Sequence, residues 1–295
     1  MRIYLSGFGV KELEEYTRCV PQAKLNILLS YSGKDPDYKK FLEDKHDNIN
    51  SVILDSGAFT ANFSITPGDL PFSFEGYKAF CVRYKGSYDF AFNYDIDFEK
   101  ESLSTNYNFL EILKDAGIPV VPVVHDYTGG EVDLYIKQKY QIISAGYSKN
   151  EKNKENIKNI AIKIYNAGCK AHALGVSSYD WCADAPIHYS DSSSWSKYPA
   201  YGFIPFWNPS VADENKTHVI KFNDRINSKR ALHNYDNYGY RSELEEYLNK
   251  RLGYKYIDLL SPKSIRRRIV CIDYYVQLQD VLTKRHARLG FNTDV

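Results

Sequence analysis

The chain has 295 residues, with 38 Lys and Arg against 37 Asp and Glu, so its formal net charge is only +1. One quarter of the residues are charged and 43% are hydrophobic, which is typical of a folded globular chain and excludes disorder as its main state. We expect neither a membrane-spanning helix nor a signal peptide, because no apolar run approaches ~20 residues and the first residues are soon interrupted by polar ones.

Eight short apolar runs, rich in β-branched residues, recur through the first two thirds of the chain, and each has the length of a buried strand. In chain order they are residues 2–5, 25–30, 51–54, 90–94, 120–124, 141–145, 170–176 and 187–190. Helical patterns lie between most of them, at residues 11–20, 37–44, 74–84, 104–116 and 155–167. Strands that alternate with helices and are apolar on both faces indicate a parallel sheet.

Eight such strands within roughly 190 residues approach the minimum size of a closed barrel. An open doubly wound sheet is the alternative, but no glycine-rich phosphate-binding pattern follows the first strand. We therefore predict an α/β fold, a (β/α)8 TIM barrel, over residues 1–198. Residues 199–295 are predicted to form a C-terminal extension packed on the barrel, with an irregular aromatic strap at 199–209 and helices at 242–252 and 264–289.

The chain contains five cysteines, an odd number, and no pair of them has CxxC spacing. A disulfide framework is therefore not expected, and the pattern predicts reduced thiols and a cytoplasmic location, which would be the host cytoplasm for a viral protein.

Carboxylates follow three of the predicted strands. Asp55, Asp95 and Asp191 come at the ends of the third, fourth and eighth strands. Active sites of (β/α)8 barrels lie at this rim, so the three side chains are expected to converge. A single aspartate here is more often a helix or turn cap. Three at one rim favour chemistry in which one carboxylate is an ionised nucleophile and another is a proton donor.

Three segments resemble a known family. Residues 54–59 read Leu-Asp-Ser-Gly-Ala-Phe, residues 172–176 read His-Ala-Leu-Gly-Val, and residues 190–195 read Ser-Asp-Ser-Ser-Ser-Trp. Their order and spacing are similar to those of the DNA 7-deazaguanine transglycosylases of phages and bacteria, relatives of the tRNA-guanine (queuine) transglycosylases. The resemblance covers residues 1–195 and implies a glycosyltransferase that exchanges guanine in DNA for a 7-deazaguanine base.

The resemblance also implies roles for individual residues. Asp191 matches the nucleophile that forms a covalent glycosyl intermediate, and Asp55 matches the general acid and base. Asp95 matches the carboxylate that reads the base, while Phe59 and Leu174 match the walls that sandwich it. The other base-binding positions implied are Ser56, Gly57, His125, Ala145, Gly146, His172 and Gly175. The sequence departs from the tRNA enzymes at His125, where they use Gln, and at Ala145, where the family has glycine.

No metal or organic cofactor is expected. The tRNA enzymes carry a Cys3His zinc site in their C-terminal region, whereas this chain has only Cys271 there. Four side chains near the last predicted strands could be proposed as a second set of zinc ligands. Their spacing is unusual for a zinc site, so we interpret them as core and site residues. That set is Cys169, His172, Cys182 and His188. The lack of zinc spacing favours DNA over tRNA as the substrate.

Basic residues are concentrated in the last third of the chain. Lys229, Arg230 and Arg266–Arg268 are predicted to contact nucleic-acid phosphates, although helix faces paired with nearby acidic residues are an equal alternative. The predicted partners are DNA, with tRNA as the alternative, and a 7-deazaguanine base such as preQ0 or preQ1. A nucleoside or glycoside hydrolase and a non-catalytic binding subunit remain alternatives, and a homodimer is left open.

Overall fold

The computed structural model describes residues 1–32, 36–44, 46–58, 73–95, 103–146, 148, 152–222, 233–261 and 264–295. Nine parallel strands form its main sheet, in the spatial order β5-β4-β3-β2-β1-β9-β8-β7-β6. They are β1 Arg2–Ser6, β2 Leu25–Ser30, β3 Ile49–Asp55, β4 Phe90–Phe92, β5 Val120–Val121, β6 Val123–Val124, β7 Ile142–Ala145, β8 Lys170–Ala173 and β9 Ile187–Ser192.

The two end strands of this order, β5 and β6, are halves of one strand. Only Pro122 separates them, and proline has no N–H for the strand ladder. The Val121 carbonyl accepts from Asn93 N at 3.0 Å on one side, and the Pro122 carbonyl accepts from Ser144 N at 3.0 Å on the other. The sheet therefore closes on itself, and all eight predicted strands and the predicted (β/α)8 barrel are confirmed.

Helices follow the strands and cover the outside of the barrel. They are α1 Val10–Cys19, α2 Pro36–Glu43, α3 Phe74–Arg83, α4 Leu103–Asp115, α5 Glu131–Lys137, α6 Lys154–Asn166, α7 Tyr179–Cys182 and α8 Ser194–Ala200. The larger core lies between these helices and the strands, because alternate strand residues face outward. A smaller core fills the barrel interior, with Tyr4, Ile53, Phe92 and Tyr189 among its members.

The C-terminal region adds a second, small sheet. Its strands are β10 Phe203–Trp207, β11 Thr217–Lys221 and β12 His233–Asn234. The prediction of an irregular strap at 199–209 is wrong for β10, which pairs antiparallel with β11. The strand is rich in aromatic residues, which favour strands, but Pro205 within it obscures the strand pattern in the sequence. Two helices follow, α9 Arg241–Leu252 and α10 Ile265–Arg288.

The long helix α10 lies directly against the barrel. Gln279 Oε1 accepts from Ile3 N at 2.9 Å and from Asn26 Nδ2 at 2.8 Å, so the helix covers β1 and β2. Asp273 is buried in the same helix and accepts from Tyr16 of α1 at 2.8 Å and Tyr247 of α9 at 2.7 Å. These contacts join the C-terminal region to the barrel wall. The predicted boundary at residue 198 falls inside α8.

None of the helices in the described part of the chain is both long enough and apolar enough to cross a membrane.

Candidate active site

The three predicted aspartates meet in one cavity at the carboxyl ends of the strands. Asp55 is the last residue of β3, Asp191 lies near the end of β9, and Asp95 follows β4 by three residues. All three line a cavity of about 600 Å³, whose other walls include Leu28 and Leu174. A cavity of this size falls within the usual range for a small-molecule site. The strand-end prediction therefore places the carboxylates together, and their ionisation depends on what surrounds each of them.

Asp55 is held by neutral donors. Its Oδ2 accepts from Ser30 Oγ at 2.6 Å and from Gly57 N at 3.2 Å. Gly57 has φ +75°, a left-handed conformation that glycine adopts without strain, so the chain turns back over the carboxylate. Burial raises the pKa of Asp55, the two donors oppose this, and the charge of Asp95 raises it further. The surroundings therefore favour a protonated Asp55.

Asp191 faces a cation instead. Its Oδ1 accepts from Gly175 N at 2.8 Å, and the ammonium of Lys152 acts on it across the cavity wall. Burial raises the pKa of Asp191 to about 7, while the Gly175 N–H and the Lys152 charge work against that rise and Asp55 adds to it. At neutral pH a substantial fraction of this carboxyl is therefore ionised, although it is buried.

Asp95 is paired with His125. The Nε2 of His125 lies 3.1 Å from Asp95 Oδ2, and both side chains are buried. Burial raises the pKa of Asp95, and the neighbouring imidazole opposes this. The backbone of the histidine loop is fixed by Glu131, whose Oε2 accepts from His125 N at 2.8 Å and from Asp126 N at 2.9 Å. Glu131 is a supporting residue that the sequence did not single out.

Gly146 leaves room for this histidine. A Cβ at this position would lie 2.4 Å from Val123 Cγ1 and 3.0 Å from His125 Cε1, which is closer than real side chains allow. The residue does not line the cavity, and its effect is to let His125 sit beside the strand end. Its carbonyl accepts from Tyr127 Oη at 2.5 Å, which closes the loop around the imidazole.

Several other predicted base-binding residues surround the same space. Ser56, His125, Leu174 and Gly175 line the cavity. Phe59, the predicted aromatic wall, lies outside the described residues.

Two predicted site residues face elsewhere. His172 points into the barrel interior, where its ring centroid lies 4.8 Å from that of Phe92, and burial lowers its pKa to about 3. Ala145 packs in the outer core against Ile160 of α6, and its carbonyl accepts from Leu174 N at 3.0 Å. Neither side chain lines the cavity, because alternate residues along β7 and β8 face inward and outward. The resemblance implies a contact from the backbone of Ala145, which stays a prediction.

Lys152 is a charged cavity residue that the sequence did not single out. The segment 149–163 reads as a solvated lysine-rich helix, yet the Lys152 side chain lines the cavity and its Nζ donates to the Leu174 carbonyl at 2.6 Å. Burial lowers the pKa of Lys152, and the charge of Asp191 opposes this. Its position in the loop that follows the sixth predicted strand, at the rim where the carboxylates lie, is the signal that could have identified it.

The predicted phosphate-binding arginines are engaged with the protein. Arg267 is fully buried and its guanidinium donates to the carbonyls of Leu259 and Leu260, the latter at 3.1 Å. The prediction that it contacts phosphate is therefore wrong, because the side chain faces the packed side of α10. Arg266 pairs with Asp258, and Arg268 pairs with Glu12 at 2.6 Å; both arginines remain partly exposed. The other two predicted contacts, Lys229 and Arg230, lie outside the described residues.

The cysteine and histidine set near the last strands is dispersed. Cys182 Sγ donates to the Val176 carbonyl at 3.6 Å, and His188 Nδ1 accepts from Ala171 N at 3.2 Å. Within the described ranges, no three His, Cys, Asp or Glu side chains come together in a way that could hold a metal ion.

Comparison with known proteins supports the fold. No model of a known protein family matches the chain, and no curated protein matches it. Among solved structures, the chain is similar to a protein assigned as a fructose-1,6-biphosphate aldolase from Coccidioides immitis, with TM-score 0.52 and 9% identity over 97% of this chain and 92% of that one. At this identity the likeness shows a shared fold and no activity.

Two further solved structures are more distant. The assigned copper homeostasis protein CutC from Streptococcus agalactiae has TM-score 0.45 and 15% identity over 65% of this chain and 98% of its own. A magnesium-bound racemase from Streptomyces coelicolor A3(2) has TM-score 0.39 and 11% identity over 67% of this chain and 54% of its own.

Proposed function

We propose that this protein is a base-exchanging glycosyltransferase, which removes guanine from a polynucleotide and inserts a 7-deazaguanine base through an aspartyl intermediate. The observation that carries the proposal is the meeting of Asp55, Asp95 and Asp191 in one cavity, with different neighbours around each carboxylate. When the surroundings of two carboxyls give them different pKa values, the ionised one can act as nucleophile and the protonated one as acid. The three sequence segments that resemble the DNA transglycosylases supply the substrate class.

Asp191 takes the role of nucleophile. One of its oxygens attacks C1′ of the target nucleoside while the bond from C1′ to N9 of guanine breaks, which leaves a covalent aspartyl-sugar ester. The Gly175 N–H, 2.8 Å from Oδ1, orients the carboxylate, and the Lys152 ammonium favours its ionised form.

Asp55 takes the role of acid and then of base. Burial raises the pKa of Asp55, which favours the protonated carboxyl, and its proton is transferred to the departing guanine. The carboxylate then accepts a proton from the incoming base, whose N9 attacks C1′ and releases Asp191. The two half-reactions balance, because one glycosidic bond is broken and another is formed, so no cofactor is required.

Asp95 takes the role of base recognition. A carboxylate accepts hydrogen bonds only, and the guanine edge presents adjacent N–H donors. Asp95 Oδ1 is buried without a hydrogen-bond partner among the described residues, so it is available to accept from a bound base. Leu174 would pack against a face of the base, and Phe59 is proposed for the other. The target nucleotide must leave the base stack to enter such a cavity.

DNA is the proposed polynucleotide, with 7-deazaguanine bases such as preQ0 or preQ1 as incoming bases. Partly exposed Arg266 and Arg268 are proposed to contribute to phosphate contacts, together with Lys229 and Arg230. Such contacts are independent of sequence and weaken with salt.

The test is incorporation of radiolabelled guanine into DNA or tRNA by the purified protein. Label is expected in DNA. Asp191→Asn is expected to reduce incorporation by about four orders of magnitude or more, as loss of a nucleophile does. Asp115→Asn, which changes an exposed aspartate at the end of α4, is the matched control and should retain full activity.

Three other outcomes would contradict the proposal. Incorporation of label into tRNA alone would indicate an enzyme that acts on RNA and not on DNA. Release of free guanine without incorporation would indicate a hydrolase. Binding of DNA with neither exchange nor release would indicate a non-catalytic subunit.

A further inference from the structure

The cavity wall holds a partly buried cation, Lys152, whose hydrogen-bond contacts the proposed steps do not explain. Lys152 lies between β7 and α6, and its Nζ donates to the Leu174 carbonyl at 2.6 Å. A Cβ built on Gly175 would lie 3.8 Å from the same Nζ, so the ammonium sits beside the peptide that joins these two residues. An ammonium carries three donors, and this contact uses one of them.

The peptide between Leu174 and Gly175 connects the lysine to Asp191. Its carbonyl accepts from Lys152, and its N–H, on Gly175, donates to Asp191 Oδ1 at 2.8 Å. A peptide group is planar, and its C=O and N–H point in opposite directions, so a fixed carbonyl also fixes the direction of the N–H. A cation on the carbonyl also polarises the group and strengthens its N–H as a donor.

We propose that Lys152 is the positioning residue of Asp191: it orients the Gly175 N–H toward the carboxylate and supplies the charge that holds the carboxylate in its ionised form. This inference rests on the proposed function only in calling Asp191 a nucleophile. The contact chain from Nζ through one peptide to Oδ1 exists in the protein without substrate.

The other charged and titratable groups around Asp191 do not replace the lysine. Asp55, across the cavity on β3, acts in the opposite direction. Lys197 of α8 lines the cavity but is exposed, so water screens its charge. His172 of β8 is buried, and its lowered pKa leaves it neutral. Among the described residues, Lys152 is the partly buried cation whose charge acts on the carboxylate.

The test is a titration of the Asp191 carboxyl in the free protein by ¹³C NMR, with aspartate labelled at Cγ. The Asp191 resonance is assigned by its loss in Asp191→Asn. Lys152→Met removes the charge at similar length, and we expect it to raise the titration midpoint by about one pH unit or more, the usual effect of losing a nearby opposite charge. Lys152→Arg, which keeps the charge, and Lys154→Met, which changes an exposed lysine at the start of α6, should leave the midpoint unchanged.

An unchanged midpoint in Lys152→Met would overturn the inference. If that variant fails to fold, Lys152→Gln keeps a donor for the Leu174 carbonyl without the charge, and the same upward shift is expected. No substrate takes part in the titration, so its result is separate from the fate of the proposed function. A wild-type protein that shows the lysine-dependent midpoint but exchanges no base would refute the transglycosylase and leave the role of Lys152 intact.

Discussion

The two sides of the cavity hold the same side chain in different surroundings. On the β3 side, Asp55 receives hydrogen bonds from the Ser30 hydroxyl and the Gly57 amide, and it faces the further negative charge of Asp95. On the β9 side, Asp191 receives one amide hydrogen bond and faces the Lys152 ammonium. Burial raises the pKa of both carboxyls and hydrogen bonds oppose the rise in both, so the cation on the β9 side is the neighbour that distinguishes Asp191 from Asp55.

Under the proposed function, that difference would give two chemically identical side chains separate roles. A carboxyl beside a second carboxylate retains its proton, and a carboxyl beside a cation loses it more readily. The barrel positions these neighbours on separate strand ends. Substitutions of these carboxyls and of their neighbours, made on one side of the cavity at a time, test the difference.

After loss of the nucleophile, removal of the acid should have the largest effect. Asp55→Asn cannot protonate the departing guanine, so we expect base exchange to slow by about 10²- to 10⁴-fold, the usual contribution of a general acid. The pH profile should also lose its falling limb, because the asparagine amide does not titrate. Steady-state exchange rates between pH 5 and 9 measure both changes.

Ser30→Ala is the matched variant for this experiment. It removes a donor that favours the ionised form of Asp55, so the falling limb should move to higher pH while the acid remains. If the pH profile of Asp55→Asn still falls at high pH, the proton donor must be another group.

Replacement of Asp95, the residue proposed to recognise the nucleobase, should have an intermediate effect. In Asp95→Asn the amide presents one acceptor and one donor edge, so the bound base loses a charged hydrogen bond worth about 1.5–3 kcal/mol. We expect the Kd for guanine to rise about 10- to 100-fold, with the fold unchanged by circular dichroism. Isothermal titration with guanine and adenine checks this, and full retention of guanine selectivity would contradict the assigned role.

The smallest effect concerns stability. The pKa of Asp191 is raised to about 7 in the folded protein, so the folded state binds this proton more tightly than the unfolded chain does. The stabilisation that the proton gives is present at low pH and is lost as the pH rises toward 7. Asp191→Asn does not ionise, so at pH 8 it should be more stable than the wild type by about 1–3 kcal/mol.

Urea unfolding of both proteins at pH 4 and pH 8 measures this difference. The gap should be small at pH 4 and should open at pH 8. An equal gap at both values would show that the buried carboxyl does not titrate between them.

The barrel itself could be read from the sequence, because strand length and strand-helix alternation are local properties. The same strand pattern predicts that Asp55, Asp95 and Asp191 converge, because the strand ends of a barrel share one rim. For Lys152 the strand-end rule indicates only the loop in which it lies, and not that its side chain enters the cavity. A lysine in a lysine-rich segment is usually solvated, and its burial here depends on how the loop after β7 packs against the end of β8.

Two errors have similar physical origins. The burial of Arg267 depends on which face of α10 meets residues 259–260, and charge patterning does not reveal this. His172 lies in a segment that resembles a base-binding motif, but only Leu174 and Gly175 of that segment reach the cavity, because β8 ends at residue 173. A motif identifies the strand end, and the strand register decides which side chains line the site.

The central claim is that Asp191 becomes covalently bound to the sugar. The most direct measurement is to incubate the protein with DNA and an incoming base, stop the reaction in denaturant, digest the adduct, and locate the modification by mass spectrometry. We predict a sugar-linked peptide with the modification on Asp191, and no adduct from Asp191→Asn. An adduct on Asp55, or efficient base exchange without any adduct, would contradict the account.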